Sequence, residues 1–240
     1  MSMGKPEALD ETEPRRVAEA AKRLGLKHVV ITSVNRDDLE DEGASHFARV
    51  IGEIKKFDQR TLIEILTPDF KRTQSEAVEK ILNAADGAGP DIFNHNVETV
   101  PSLYRRVRPQ GDYERSLDIF RVIRKKSSRV LAKSGLMLGL SETREEVLEV
   151  MRDLRETECE FLTLGQYLRS SAIGLPVAQY IHPEEFLNYK TQALEMGFVW
   201  VESGPFVRSS FHAKESFDKI VIARSAFRDA TVIRRGRPVE

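Results

Sequence analysis

Phe93-Asn94-His95-Asn96-Val97-Glu98-Thr99, preceded by Pro90-Asp91-Ile92, is an apolar strand that finishes in polar side chains. A strand that only packs has no use for Asn, His, Asn, Glu and Thr so close together. Polar residues gathered at the C-terminal end of a strand are the pattern of the active-site face of a parallel β/α barrel. Outward from this stretch, helical and extended patterns alternate in both directions. Upstream, helices over Pro14–Leu24, Ala44–Lys56 and Ser75–Ala85 alternate with strands over His28–Thr32 and Thr61–Leu66. Pro14 opens the first helix and Gly25 closes it. The strand at Asp91–Val97 follows. Downstream, strands over Val130–Leu138, Phe161–Leu164 and Phe198–Glu202 alternate with helices over Tyr113–Lys125, Thr143–Glu156 and Pro183–Met196. Thr143 and Glu146 form a capping-box pattern.

Repeated βα units predict a parallel sheet, open or closed into a barrel. The series opens on a helix. Because a right-handed crossover packs each helix over the strand before it, the helix at Pro14–Leu24 has no strand of its own. The expectation is a partial barrel missing its first strand, with a sheet edge left uncovered beside that helix.

Composition narrows the function classes. At 240 residues, with 40% hydrophobic and 31% charged side chains, the chain reads as one large globular α/β domain. The formal net charge of -1 gives no global reason to expect nucleic acid. No apolar run reaches the length of a membrane span, and Met1-Ser2-Met3-Gly4-Lys5-Pro6 lacks the apolar core of a signal peptide. The single cysteine, Cys159, forms no internal disulfide, which fits a reducing compartment such as the cytoplasm or an organelle matrix. Its bland role is that of a small buried apolar residue.

The other strand ends carry polar groups too. Thr32-Ser33-Val34-Asn35-Arg36-Asp37-Asp38 is either a helix-capping loop or a binding loop. Lys133-Ser134-Gly135-Leu136-Met137-Leu138-Gly139-Leu140-Ser141-Glu142 sets two glycines and an acid around an apolar strand, for close approach of a ligand or for a bend. Gly165-Gln166-Tyr167-Leu168 offers an amide and a phenol. Val207-Arg208-Ser209-Ser210-Phe211-His212-Ala213 is small, polar and basic, an anion-binding turn or a helix cap. Polar residues at every strand end together favour an enzyme or small-molecule site over a structural barrel.

Taken in order, these segments resemble the lipoyl synthase family of the radical S-adenosylmethionine (SAM) superfamily. The resemblance rests on Leu26–Leu39, Phe93–Pro101, Val107-Arg108-Pro109, Lys133–Leu140, Gly165–Leu168 and Val207–Ala213, from about Gly4 to Ala213. It implies a partial (β/α) barrel of the radical SAM type over 1–216, followed by a tail over 217–240. Asn35, Ala132, Ser141, Ser170, Gly174 and Phe211 depart from the family pattern. The large departure is the absence of both the C-x3-C-x2-C motif of the SAM-cleaving cluster and the earlier C-x4-C-x5-C motif of an auxiliary cluster. In the family both lie upstream of the position of Met1, where the missing strand also belongs.

The resemblance further implies roles. Asn96 and Glu98 suit the ribose hydroxyls of SAM. Gly139 belongs to the glycine-containing strand motif, and Gln166-Tyr167-Leu168 suits the adenine end. Ser33 and Asn35 suit the methionine amino and carboxylate groups, with Lys133 or Arg108 supplying positive charge to carboxylates of cofactor or substrate. Ser209, ahead of Ser210, is the implied ligand of the auxiliary cluster. The implied reaction inserts two sulfurs, at C6 and C8, into an octanoyl chain carried by a lipoyl-carrier domain or the glycine cleavage H protein. The implied cofactors are SAM and two [4Fe–4S] clusters. Three thiolates hold each site-differentiated cluster, so neither is expected to assemble on this chain alone. An N-terminally truncated lipoyl synthase, inactive as written, is the reading of the sequence. A natural pseudoenzyme or subunit that binds a lipoyl carrier is one alternative. A metal-independent β/α-barrel enzyme of the aldolase type, using Lys133, is another.

Overall fold

The computed structural model describes residues 6–208. Its strands are β1 His28–Thr32, β2 Leu62–Leu66, β3 Ile92–Asn94, β4 Leu131–Leu138, β5 Phe161–Gln166 and β6 Trp200–Gly204. Its principal helices are α1 Glu13–Arg23, α2 Ala44–Phe57, α3 Gln74–Leu82, α4 Tyr113–Lys126, α5 Arg144–Glu156 and α6 Pro183–Glu195. The strand order is β1-β2-β3-β4-β5-β6, an open series with β1 and β6 at its ends. The alternation of patterns predicted an α/β sheet, open or closed, and among the described residues it is open, as expected of a partial barrel. No described helix is long and apolar enough to cross a membrane. Two compact units divide the chain, one running to Phe93 and the other starting at Asn94.

In the first unit, β1 and β2 run parallel in register from His28 beside Leu62 to Thr32 beside Leu66. The core forms because α2 repeats apolar residues at helical spacing (Phe47, Val50, Ile51 and Ile54), and these are buried with Ile63, Ile65, Val78 and Ile81. β2 is buried from Leu62 to Ile65, whereas β1 is only half-buried from His28 to Ile31. Among the described residues β1 is the outer strand of the order on that side. Within the core, the Lys55 ammonium bonds the Asp91 carboxylate at 3.1 Å and the Thr61 carbonyl at 2.8 Å. Asp91 also accepts from the Ile63 amide at 2.8 Å, tying α2 to β2 and to the entry of β3. One helix departs from expectation. The pattern predicted a helix to Ala85, but α3 ends at Leu82, and Ala85 and Asp86 turn left-handed at φ 52° and 54°. The run Ala84-Ala85-Asp86-Gly87-Ala88-Gly89 supplies no large apolar side chain to hold another helical turn against the core.

In the second unit, β4, β5 and β6 are parallel neighbours, with Gly135 beside Thr163 and Gly165 beside Gly204. α5 begins with the capping box read from the sequence: the Glu146 amide bonds the Thr143 hydroxyl, and the Glu146 carboxylate accepts from the Thr143 amide. The strand that decides the fold is shorter than its pattern. It was expected to reach Val97, but regular pairing stops at Asn94. Beyond it the Ser134 hydroxyl intervenes, accepting from the Val97 amide at 3.3 Å and donating to the His95 carbonyl at 2.9 Å. Ladder contact with β4 resumes at Glu98, whose amide bonds the Gly135 carbonyl at 3.0 Å.

Candidate functional site

That interruption aims the polar residues. The stretch from His95 to Glu98 is an irregular ribbon along β4, and Glu98 sits at φ 66°, a conformation side-chain-bearing residues seldom adopt without a local reason. Asn96 and Glu98 are drawn to one side, with the Asn96 amide donating to the Glu98 carboxylate at 3.2 Å. They face a cavity of about 170 Å³ lined also by Gly135, Met137, Thr163, Gly165, Gln166 and Arg208. At roughly 30 Å³ per liquid water, that is space for a sugar-sized group.

Glycine makes the wall. A Cβ on Gly135 would meet the Thr163 hydroxyl at 2.6 Å and the Asn96 side-chain oxygen at 2.8 Å. A Cβ on Gly165 would meet the Val207 carbonyl at 2.3 Å, so the chain after β6 lies directly over β5. At the end of β4, Gly139 (φ 98°) and Ser141 (φ 91°) turn the backbone so that the Glu142 carboxylate accepts from the amides of Gly139 and Leu140. The acid at the end of this motif therefore holds the turn closed.

The sequence-predicted residues divide into groups. Asn96, Glu98 and Gln166 line the cavity. Gly139 lies beside it, against Gln166. Arg108 is half-buried beneath the ribbon, its guanidinium donating to the Asn96 carbonyl at 3.3 Å and to the Ser116 hydroxyl at 3.4 Å, so it supports the chain that carries Asn96. Lys133 is buried at 3% exposure with its ammonium 5.5 Å from the centre of the Trp200 ring, two residues before the part of β4 that reaches the cavity. Ser33 and Asn35 belong to the first unit, on the exposed loop after β1. Ser33 there lines a separate cavity of about 530 Å³ with Thr32, Arg36 and His46. Ser209 lies outside the described residues. Thr163 was not singled out from the sequence. Its signal was available: in Phe161-Leu162-Thr163-Leu164-Gly165, alternate positions share a face, and Thr163 is the polar member of that face.

The polar lining is oxygen and nitrogen, with two amides, a carboxylate, a hydroxyl, a guanidinium and backbone groups beside the Met137 thioether. It fits the hydroxyls and amines of a nucleoside. It does not fit iron. Cys159 has no exposed surface, its thiol lies 3.4 Å from the Phe161 carbonyl, and burial pushes its ionisation well above the ordinary thiol range. Among the described residues no group of three or more His, Cys, Asp and Glu side chains is arranged to hold a metal ion.

Comparison with known proteins places this architecture. The sequence pattern of the Radical SAM superfamily matches residues 1–154. The crystal structure of methylornithine synthase overlays with a TM-score of 0.59 at 13% identity, covering 94% of this chain and 77% of its own, which is a likeness of fold. The class is that of radical SAM proteins. A lipoyl synthase from Caldanaerobacter subterraneus subsp. tengcongensis is 54% identical over 210 residues, which are 88% of this chain and 72% of the relative. A second, from Caldicellulosiruptor saccharolyticus, is 51% identical over 213 residues, 89% of this chain and 73% of the relative. The chain belongs to the lipoyl synthase family.

Proposed function

We propose that the chain carries the barrel of a lipoyl synthase, serving sulfur insertion at C6 and C8 of an octanoyl group held on a lipoyl-carrier domain or on a glycine cleavage H protein. What carries the reading is convergence. Asn96 and Glu98, Gly135 to Met137, Gly165 with Gln166 and Leu168, and Val207 with Arg208 come from four separate segments that resemble the family, and they line one cavity. SAM, when bound, supplies the hydrogen-abstracting chemistry. The chain's own residues bind and orient it: the Glu98 carboxylate accepts from ribose hydroxyls, the Asn96 amide fixes that carboxylate, and the glycines of β4 and β5 let the ligand lie close to backbone. Arg108 holds the Asn96 carbonyl in place from below. The thiolates for the family's clusters are not supplied by Cys159, so cluster assembly depends on cysteines beyond these 240 residues. Ser209 is proposed as an auxiliary-cluster ligand, and residue 216 as the boundary between barrel and tail.

Titration calorimetry with S-adenosylhomocysteine tests the cavity without any cluster. Glu98→Ala and Asn96→Ala are each expected to weaken binding by roughly tenfold, the scale of one lost hydrogen bond to a charged or amide group. Binding of wild type and both variants with equal affinity would overturn the assignment.

A further inference from the structure

The Gln166 side chain is committed before any ligand arrives. It is 4% exposed, and its amide nitrogen donates to the carbonyls of Tyr167 and Gln179, both at 3.0 Å. A primary amide has two N–H groups, and both are spent. Its oxygen accepts from the Ile181 amide at 2.9 Å. These partners bracket the segment from Tyr167 to Ile181, which contains neither helix nor strand. The segment is braced within itself, the Tyr167 hydroxyl donating to the Leu175 carbonyl at 2.9 Å and Arg169 to the Gly174 carbonyl at 2.8 Å. It is fastened to the end of β4 by the Tyr167 amide, which bonds the Leu138 carbonyl at 2.8 Å, and by the Ala178 and Gln179 amides, which bond the Gly139 carbonyl at 2.9 and 3.3 Å. Gly139 makes that closure possible, since a Cβ there would sit 2.3 Å from both the Gln166 nitrogen and the Gln179 carbonyl. Long loops without regular structure whose ends lie close together and that are braced by their own side chains behave as single units.

We infer that Gln166 is a positioning residue and not a ligand: its side chain is the clasp that holds the flap from Tyr167 to Ile181 across the end of β4, and so sets one wall of the cavity. Leu168, the flap residue that lines the cavity, reaches it because the clasp is shut. The inference rests on the adenosyl reading only for what the cavity binds. The clasp itself stands on hydrogen bonds already within the protein.

Hydrogen-exchange mass spectrometry on the full chain reads the clasp directly. In Gln166→Ala, protection of the peptide containing Ala178 and Ile181 should fall roughly tenfold or more, from the loss of two donors and one acceptor, while protection in β5 holds. Trypsin should also cleave after Arg169 faster. Gln166→Glu preserves shape and supplies the pH signature that lost packing alone would not give. Protonated, the acid still donates one bond, and the flap stays protected. Ionised, it faces two carbonyl oxygens, and protection collapses as pH rises, while the wild-type protection factor stays flat. S-adenosylhomocysteine affinity should track flap protection across both variants and both pH values. Lost binding in Gln166→Ala with flap protection intact would make Gln166 a direct ligand and overturn the inference. So would a Gln166→Glu flap indifferent to pH. A flap that loosens as expected in a protein that never binds S-adenosylhomocysteine would uphold the clasp and reject the adenosyl reading.

Discussion

Single residues decide how much room a ligand has. Gly135 is pinned between Thr163 and Asn96, so Gly135→Ala forces one of them to move. The expected cost is about 1–3 kcal/mol, as for other overpacked sites, read as a lower melting temperature. Weaker S-adenosylhomocysteine binding should accompany it, because displacing the Asn96 side chain also disturbs its bond to the Glu98 carboxylate; unchanged affinity would show that Asn96 does not shape the cavity. Asp41 tests residue-scale electrostatics away from the site. Burial alone would raise its carboxyl, but the Ser45 bonds and the Lys80 ammonium at 2.9 Å outweigh that and hold it below the ordinary carboxylate range. A depressed acid stabilises the folded state above its unfolded pKa and loses that contribution as pH falls through the folded value. Asp41→Asn should therefore cost about 1 kcal/mol at neutral pH, by loss of charge at the start of α2, and less in strong acid. Chemical denaturation at pH 7 and pH 2.5 checks it; an equal loss at both would show that charge is not the cause.

At the scale of elements, the long amphipathic helices and most strands were legible, because apolar spacing and caps such as Thr143–Glu146 state the same answer twice. The end of α3 was not, since a run of alanine and glycine gives periodicity nothing to act on. Nor was the end of β3, where the Ser134 hydroxyl on a neighbouring strand replaces a ladder bond; no local reading of Asn94 to Val97 contains that partner. The positions of Asn96 and Glu98 likewise depend on Ser134 and Gly135, and Lys133 lies against Trp200, all partners distant in sequence. The half-buried β1 carries an element-scale consequence. A strand at the end of the order with Val29, Val30 and Ile31 partly exposed is a template for pairing with another chain. Sedimentation velocity should show concentration-dependent association. Thr32→Lys with Val34→Lys, both at exposed positions, should shift it toward monomer without lowering the melting temperature; unaltered association would place the contact elsewhere.

For the whole molecule, the informative tension lies between a family that uses clusters and a chain with one cysteine. Thiolates, not thiols, bind iron, and a ligand must reach it. Cys159 meets neither condition: it has no exposed surface, and its protonated form is favoured by burial and by the neighbouring Glu160 carboxylate. The polar cavity of the second unit offers oxygen and nitrogen donors that suit an adenosyl group and not iron. The two properties are therefore separable. Purified and reconstituted anaerobically with iron and sulfide, this polypeptide should hold no stoichiometric [4Fe–4S] cluster and release no 5′-deoxyadenosine from SAM, yet bind S-adenosylhomocysteine. Cys159→Ala should leave the residual iron content unchanged, because the iron that remains is not held by that sulfur. Iron and sulfide analysis, with the visible absorbance of the cluster, measures the first half; calorimetry measures the second. A cluster near one per chain that disappears in Cys159→Ala would show that the thiol leaves its buried position to bind metal, and would reverse the separation of adenosyl binding from iron argued from its burial.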